Sequence, residues 1–185
     1  MKLMNNPLTD NKWYVVYTCF RHEKSAMNAL LRLGIEAYVP VLNKTKRYKR
    51  KIKHYEIPLI SHYVFVRLSK TDFKQVIQVK DVIRFLGTGK NPSIIPDHEI
   101  QMLKAITGDL ADIELLPFDP EEPGQSVEII GGALTGLKGK VIKSMGQDRL
   151  LVEFQNIGYS LSIEVPKHNL KAISRYTSNA LSAAM

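Results

Sequence analysis

The chain is poor in the residues on which secreted, membrane and metal-dependent proteins rely. It has one cysteine, Cys19, among 185 residues, which excludes an internal disulfide and leaves no cysteine cluster for zinc, as in a reducing compartment. Its apolar runs fall far short of the roughly 20 residues a membrane span needs, and its start, MKLMNNPLTDNK, lacks the apolar segment of a secretory signal. A cytoplasmic protein without membrane association is expected. Catalytic groupings are missing too. HEKSA, 22–26, lacks the second histidine of a zinc-protease helix, and Cys19 with His22 supplies two ligands where zinc takes three or four. GTGKN, 87–91, lacks the first glycine and the hydroxyl residue of a phosphate-binding loop and reads as a hairpin turn. No nucleophile, base and orienting group stand together. No enzyme, metal or cofactor is expected.

What is present is a globular composition with 44% hydrophobic residues, enough to bury a core in one domain or two small ones. The charge is basic, with 26 Lys and Arg against 18 Asp and Glu. Residues 1–119 carry 19 cations and 12 anions, and residues 120–185 carry 7 and 6, so nearly all the excess is in the first part. Within it, Lys44 to Lys53 reads KTKRYKRKIK, seven cations in ten residues. A polyanion such as nucleic acid is the partner this run suits; a solvated loop that binds nothing is the plainer reading.

Periodicity divides the chain further. Residues 1–11 are polar and read as a disordered tail. WYVVYT, 13–18, is a buried strand; Phe20 to Leu33 has Ala26, Ala29, Leu30 and Leu33 at helical spacing, with Gly34 as its stop. IEAYVPVL is a strand with Pro40 at an edge or bulge. IPLISHYVFVRL, 57–68, is a second central strand, Thr71 to Val79 a weaker helix, and VIRFLG, 82–87, a further strand. IIPDHEIQMLKAIT places Asp97 as an N-cap, with Ile100, Leu103 and Ile106 on one helix face. The expectation for 12–107 is an α/β sandwich, one sheet flanked by helices. Residues 108–122 are acidic and proline-rich and read as a linker. From 123 to 175, VEII, KGKVIKS, RLLVEF, SLSIEV and LKAI are five short strands, for which a small closed barrel removes exposed edges. Residues 176–185 read as a fraying tail, and the fold class is α+β.

This order of elements, ending in PGQSVEIIGGALTGLKGKVI, resembles the NusG family of transcription elongation factors over roughly Lys12 to Ile173. The resemblance implies an amino-terminal polymerase-binding domain and a five-stranded carboxy-terminal barrel, the KOW domain. PLISHYVFV is similar to the specialised paralogues, RfaH and the UpxY antiterminators of polysaccharide operons. Where the family commonly has a proline-containing pair before the tyrosine, this chain has Ser61-His62. The runs VEII, KVI and SIEV favour strands, so a barrel is expected instead of the helical hairpin RfaH can adopt. A different reading of the same features is a ribosome-associated RNA-binding KOW protein.

Candidate residues follow from both sources. Tyr17, Ile60, Tyr63, Phe65, Val82, Phe85 and Leu86 come from three strands able to lie side by side. Alternation puts Tyr63 and Phe65 on one face. The resemblance makes this the hollow that grips the polymerase clamp helices; the plain alternative is core beneath a helix. Lys46, Arg47, Lys49, Arg50, Lys51 and Lys53, with Tyr48 and Tyr55 among them, suit phosphates and a stacked base. Arg21, His22 and Arg32 are similar to positions that reach the non-template DNA strand in RfaH, with nascent RNA the other nucleic acid in reach; solvent-facing charges that bind nothing are the plain alternative. A second polymerase contact is expected from Thr71 to Gln75. Gly131, Gly132, Gly136 and Gly139 supply positive φ or close approach in barrel turns. Leu134 and Leu137 are either an exposed contact patch or a cap on the barrel core. The resemblance implies a ribosomal small-subunit protein or the Rho terminator as the partner there. A monomer is expected.

Overall fold

The β-branched and aromatic run at 13–18 lies at the centre of a sheet in the computed structural model, which describes residues 11–88, 91–109, 113–119, 123–132, 134–144 and 147–173. The two expected tails, Asn11 excepted, lie outside these. The chain forms two compact units, Met1–Ala111 and Asp112–Met185. In the first, β1 (Lys12–Thr18) leads to α1 (Glu23–Arg32), β2 (Glu36–Tyr38), β3 (Val41–Tyr48), β4 (Lys51–Pro58), β5 (Tyr63–Leu68) and α2 (Phe73–Ile77). Then come β6 (Val82–Phe85), β7 (Gly87–Thr88), β8 (Asn91–Pro92), β9 (Ile94–Ile95) and α3 (Asp97–Asp109). The sheet order is β2-β5-β1-β6, with β9 also on β1, and every pairing is antiparallel.

Alternation along β1 separates two cores. Tyr14 and Val16 join Val64, Val66 and Leu68 of β5 under Ala26 and Leu30 of α1 and Val76 of α2. The residues between them, Trp13, Val15 and Tyr17, face the other way, where α3 lies: Lys104 sits 5.4 Å over the rings of both Trp13 and Tyr38. Tyr38 donates to Thr107 Oγ1 at 3.0 Å, because Thr107 spends its own proton on the Leu103 carbonyl at 2.8 Å. Burial pushes the Tyr38 hydroxyl above its ordinary 10.0, against the smaller opposite pull of the Thr107 bond. A raised folded-state value means stability that is complete below pH 10 and lost as pH rises through that value. Thermal unfolding followed above pH 9 is therefore expected to show a fall in midpoint past pH 10, and Tyr38→Phe is expected to remove that part of the fall.

Several elements differ from expectation for identifiable reasons. Helix α1 starts at Glu23, not Phe20, and Leu33 is its exposed C-cap instead of a core residue. The Gly34 stop is present, with φ +78° and the bonds Gly34 N–H to Leu31 and Ile35 N–H to Leu30 of a Schellman motif. IEAYVPVL is two strands in different sheets: Pro40 cannot donate to the ladder, and beyond it β3 pairs with β4 alone. The basic run is thus a two-stranded ribbon, not a loop. The strand expected from residue 57 begins at Tyr63, because His62 has φ +69°. Asp97 is the first helical residue of α3, not its cap. Gly87–Thr88 pairs antiparallel with Asn91–Pro92, β7 on β8; the turn expected between them, Gly89 and Lys90, lies outside the described residues.

The second unit holds β10 (Ile113–Pro117), β11 (Gln125–Ile129), β12 (Lys138–Ser144), β13 (Gln147–Phe154), β14 (Tyr159–Ile163) and β15 (Leu170–Ala172). Their order is β10-β14-β13-β12-β11-β15, all antiparallel. All five expected runs are strands. The segment read as a linker contributes a sixth, with Ile113 opposite Ile163 and Leu115 opposite Leu161. Gly132 and Gly136 take the positive φ that the turn requires, at +86° and +88°. Gly139 is different: it lies within β12, where a Cβ would stand 2.4 Å from the Leu151 carbonyl oxygen. Leu134 and Leu137 are only 8% exposed, so in this structure they cap the core and do not form an open patch, while the neighbouring Ile130 is exposed. Among the described residues no helix is long and apolar enough to cross a membrane.

Candidate functional site

The edge of the first sheet where β1 ends and β5 begins carries an open aromatic cluster. Tyr17 pairs with Tyr63 on one side and Arg84 on the other. Its ring stacks on His62 at 4.7 Å and 9°, meets Tyr63 edge-on at 6.1 Å, and lies under the Arg84 guanidinium at 5.3 Å. Phe20, 57% exposed, leans on His62 at 5.4 Å, with Arg21 5.1 Å from its centre. Solvent therefore meets three aromatic rings and two guanidiniums, an arrangement that suits an apolar or π-faced partner bearing negative charge.

The backbone beneath is held in unusual conformations. Among the described residues, the non-glycine positions with positive φ are Arg21, His62 and Asp81, all at this end. Left-handed backbone costs a non-glycine residue on the order of 1–3 kcal/mol, and persists where surrounding bonds over-determine it. They do so here. The His62 amide donates to the buried Glu23 carboxylate at 2.7 Å, and its carbonyl accepts from the Thr18 amide at 2.8 Å and hydroxyl at 3.1 Å. The His62 ring Nδ1 lies 3.0 Å from the Thr18 carbonyl. Asp81 accepts from the Cys19 amide at 3.0 Å through its carbonyl and pairs with His22 Nδ1 at 3.1 Å through its carboxylate. Glu23, Phe20, His62 and Arg84 were missed by sequence reasoning. Glu23 is an acid in the first turn of α1, a position that by itself marks no site, and the one available signal was Ser61-His62 in place of a proline pair.

The seven residues expected to form one hollow are divided. Strands β5, β1 and β6 are adjacent, and Tyr17, Tyr63 and Phe65 share a face. Val82 and Phe85 lie on the opposite face, against the core of α1 and α2. Phe85 stands opposite Val16, and a bulge between Tyr17 and Thr18 turns Val82 the same way. Ile60 and Phe65 are fully buried, and Tyr63 is 9% exposed. Leu86 is half-buried, its amide bonded to the Val15 carbonyl at 2.8 Å. Of the seven, Phe85 lines an open groove of about 680 Å³, together with Phe73, Ile77, Ile83, Arg84 and Pro92. Phe73 and Lys74, from the expected second contact region, form part of its wall.

The cationic candidates fall into separate groups. Lys46, Arg47, Lys51 and Lys53 are exposed on the β3–β4 ribbon, and Lys49 and Arg50 sit at its tip. Lys24 of α1 bonds Glu56 of β4 at 2.5 Å. Arg21 joins the aromatic cluster; His22 is tied to Asp81. Arg32 is in the last turn of α1, about 15 Å along the axis from His22, and so does not belong to that cluster. Among the described residues no three His, Cys, Asp or Glu side chains gather as a metal site.

A family model described as "Transcription termination factor nusG" matches residues 11–104. Among solved structures, the chain is similar to Thermotoga maritima NusG, described for its domain interaction. The two are 20% identical, with 89% of this chain and 98% of that chain covered and a TM-score of 0.53, a likeness of fold. Conformations A and B of the MjSpt4:Spt5 complex are 19% identical over 88% of this chain. The match spans 98% and 97% of those chains, with TM-scores of 0.30 and 0.29. No curated protein matches the sequence.

Proposed function

Because the chain belongs to the NusG family of transcription factors, we propose that it is an elongation and antitermination factor that docks on RNA polymerase through the Tyr17 edge of its first sheet. The observation that carries this reading is the open aromatic cluster, in which Phe20 is more than half exposed and Tyr17 is half-buried over a rigidly bonded His62. A surface aromatic group held at the cost of left-handed backbone suits a binding anchor better than a solvated edge. The polymerase clamp helices are the proposed ligand. The groove beside Phe73 and Phe85 is the proposed second contact, on the far side of the cleft. A preference for the closed clamp of about 1.4 kcal/mol shifts the paused equilibrium tenfold, so a small contact suffices.

The basic ribbon and Arg21 then lie toward non-template DNA or nascent RNA. The second unit is proposed as the KOW barrel, which recruits a ribosomal small-subunit protein or Rho at raised effective concentration. Its contact surface would have to include residues other than the buried Leu134 and Leu137. The PLISHYVFV strand supports an operon-specific role of the UpxY and RfaH kind. Tyr17→Ala is expected to lower capture of core polymerase by about tenfold or more while leaving the thermal midpoint within a few degrees. Undiminished capture would refute the docking surface, and capture of ribosomes alone would favour a ribosome-associated role.

A further inference from the structure

The β3–β4 ribbon has two chemically different faces, a property hidden in the linear run of cations. Directly opposed residues share a face, so the register Lys44–Tyr55, Lys46–Lys53 and Tyr48–Lys51 collects four lysines and two tyrosines on one side. At its base this side continues into Leu42 and Ile57; it contains no acid. The other side pairs Asn43 with Glu56, Thr45 with His54 and Arg47 with Ile52. There Thr45 bonds His54 at 2.9 Å and Glu56 bonds Lys24 of α1. Five of the six residues on the lysine–tyrosine side are exposed, and Lys44 is half-buried.

That side is arranged against its own stability. Lys46 and Lys53 stand directly opposite, and like charges in this position are destabilising. The ammonium groups of Lys46 and Lys51 lie 5.4 Å and 6.0 Å from the centre of the Tyr48 ring, which relieves part of the repulsion and holds the ring among cations. The Tyr55 and Tyr48 rows are four residues apart, roughly 13 Å at about 3.3 Å per residue, with the Lys46–Lys53 row between them.

We infer that this face is a sequence-tolerant site for single-stranded nucleic acid. Tyr48 and Tyr55 stack on two bases, and Lys44, Lys46, Lys51 and Lys53 neutralise the phosphates between and beside them. The inference rests on the nucleic-acid role given to the ribbon above and narrows it to one face and one ligand class. A duplex would use the lysines but leave both rings without an unstacked base, and it would draw equally on Arg47 across the ribbon.

The test is anisotropy titration of the full chain with fluorescein-labelled oligo(dT) and with a duplex of equal length, at several salt concentrations. Tyr48→Ala with Tyr55→Ala is expected to weaken oligo(dT) binding at least about tenfold. Replacing the four lysines by Gln is expected to flatten the salt dependence by about three log units per log unit of salt. Asn43→Ala with His54→Gln, on the opposite side of the ribbon, is expected to stay within twofold of wild type. Equal affinity for duplex and single strand, a tyrosine variant that binds like wild type, or equal losses from both faces would overturn the inference. Polymerase capture measured on the same variants separates the two readings: its loss only in Tyr17→Ala, with oligo(dT) binding normal or not, bears on the docking surface and not on the ribbon.

Discussion

Phe65→Ala is expected to lower the stability of the first unit by about 3–5 kcal/mol, the range for deleting a buried aromatic ring. Phe65 is wholly buried in the middle of β5, between β1 and β2, with Val15 and Tyr38 as its directly opposed neighbours. The Tyr38 ring lies 6.2 Å from it and is itself bonded to α3 through Thr107. Removing the phenyl ring leaves a void between the sheet and that helix, and the strands cannot close over it without breaking their ladder. For a unit of about 100 residues each kcal/mol moves the midpoint by about 4–8 °C, so a drop of more than about 12 °C is expected. Trp13, the one tryptophan of the chain, is buried in the same unit and reports the transition by fluorescence. A drop below about 4 °C would mean that the cavity collapses or that Phe65 is not core. Loss of polymerase binding in this variant would follow from unfolding and would not identify a contact. Tyr17→Ala is the cleaner probe because Tyr17 is half-buried.

Gly139→Ala is expected to be the most damaging single-methyl substitution in the second unit. A Cβ there would lie 2.4 Å from the Leu151 carbonyl oxygen and 3.0 Å from Leu150 Cδ1. The oxygen is backbone in the partner strand β13 and cannot swing away, so β12 and β13 must separate where Lys140 faces Leu151. Overfilling of this kind costs about 1–3 kcal/mol. Gly132→Ala is the control: its φ is +86° but nothing lies within 4 Å, so its cost is the conformational one, about 1 kcal/mol. Chemical denaturation followed by circular dichroism should rank Gly139→Ala as the less stable of the two. The reverse order would show that turn geometry, not strand approach, governs this stretch.

The two glycines also show where sequence reading stops. Gly131, Gly132, Gly136 and Gly139 look alike in GGALTGLKG, and register alone separates a left-handed turn from a close strand contact. Element type was legible wherever period and breakers agreed: WYVVYT as a strand, Gly34 as a helix stop, five strands after residue 123. Strand β10 was not, because acids and prolines around IELLP mask its alternation and its partner, Tyr159 to Ile163, lies some 45 residues away. The division of the seven residues was hidden for a related reason. A one-residue bulge reverses the face of Val82, and bulges leave no fixed mark in composition. The aromatic cluster escaped because it depends on Glu23, His62 and Asp81 meeting across distant segments. The charge of the basic run was legible in sequence, but the pairing of β3 with β4 was needed to sort its lysines from Arg47.

The proposed docking edge can be examined at a single position. Tyr17→p-benzoylphenylalanine, irradiated in complex with core RNA polymerase, is expected to attach the chain to the polymerase clamp. The same residue in place of the exposed Leu31 on α1 should give little or no adduct. Adducts from position 31 with none from position 17, in protein that still binds polymerase, would contradict the account and move the docking surface elsewhere on the first unit.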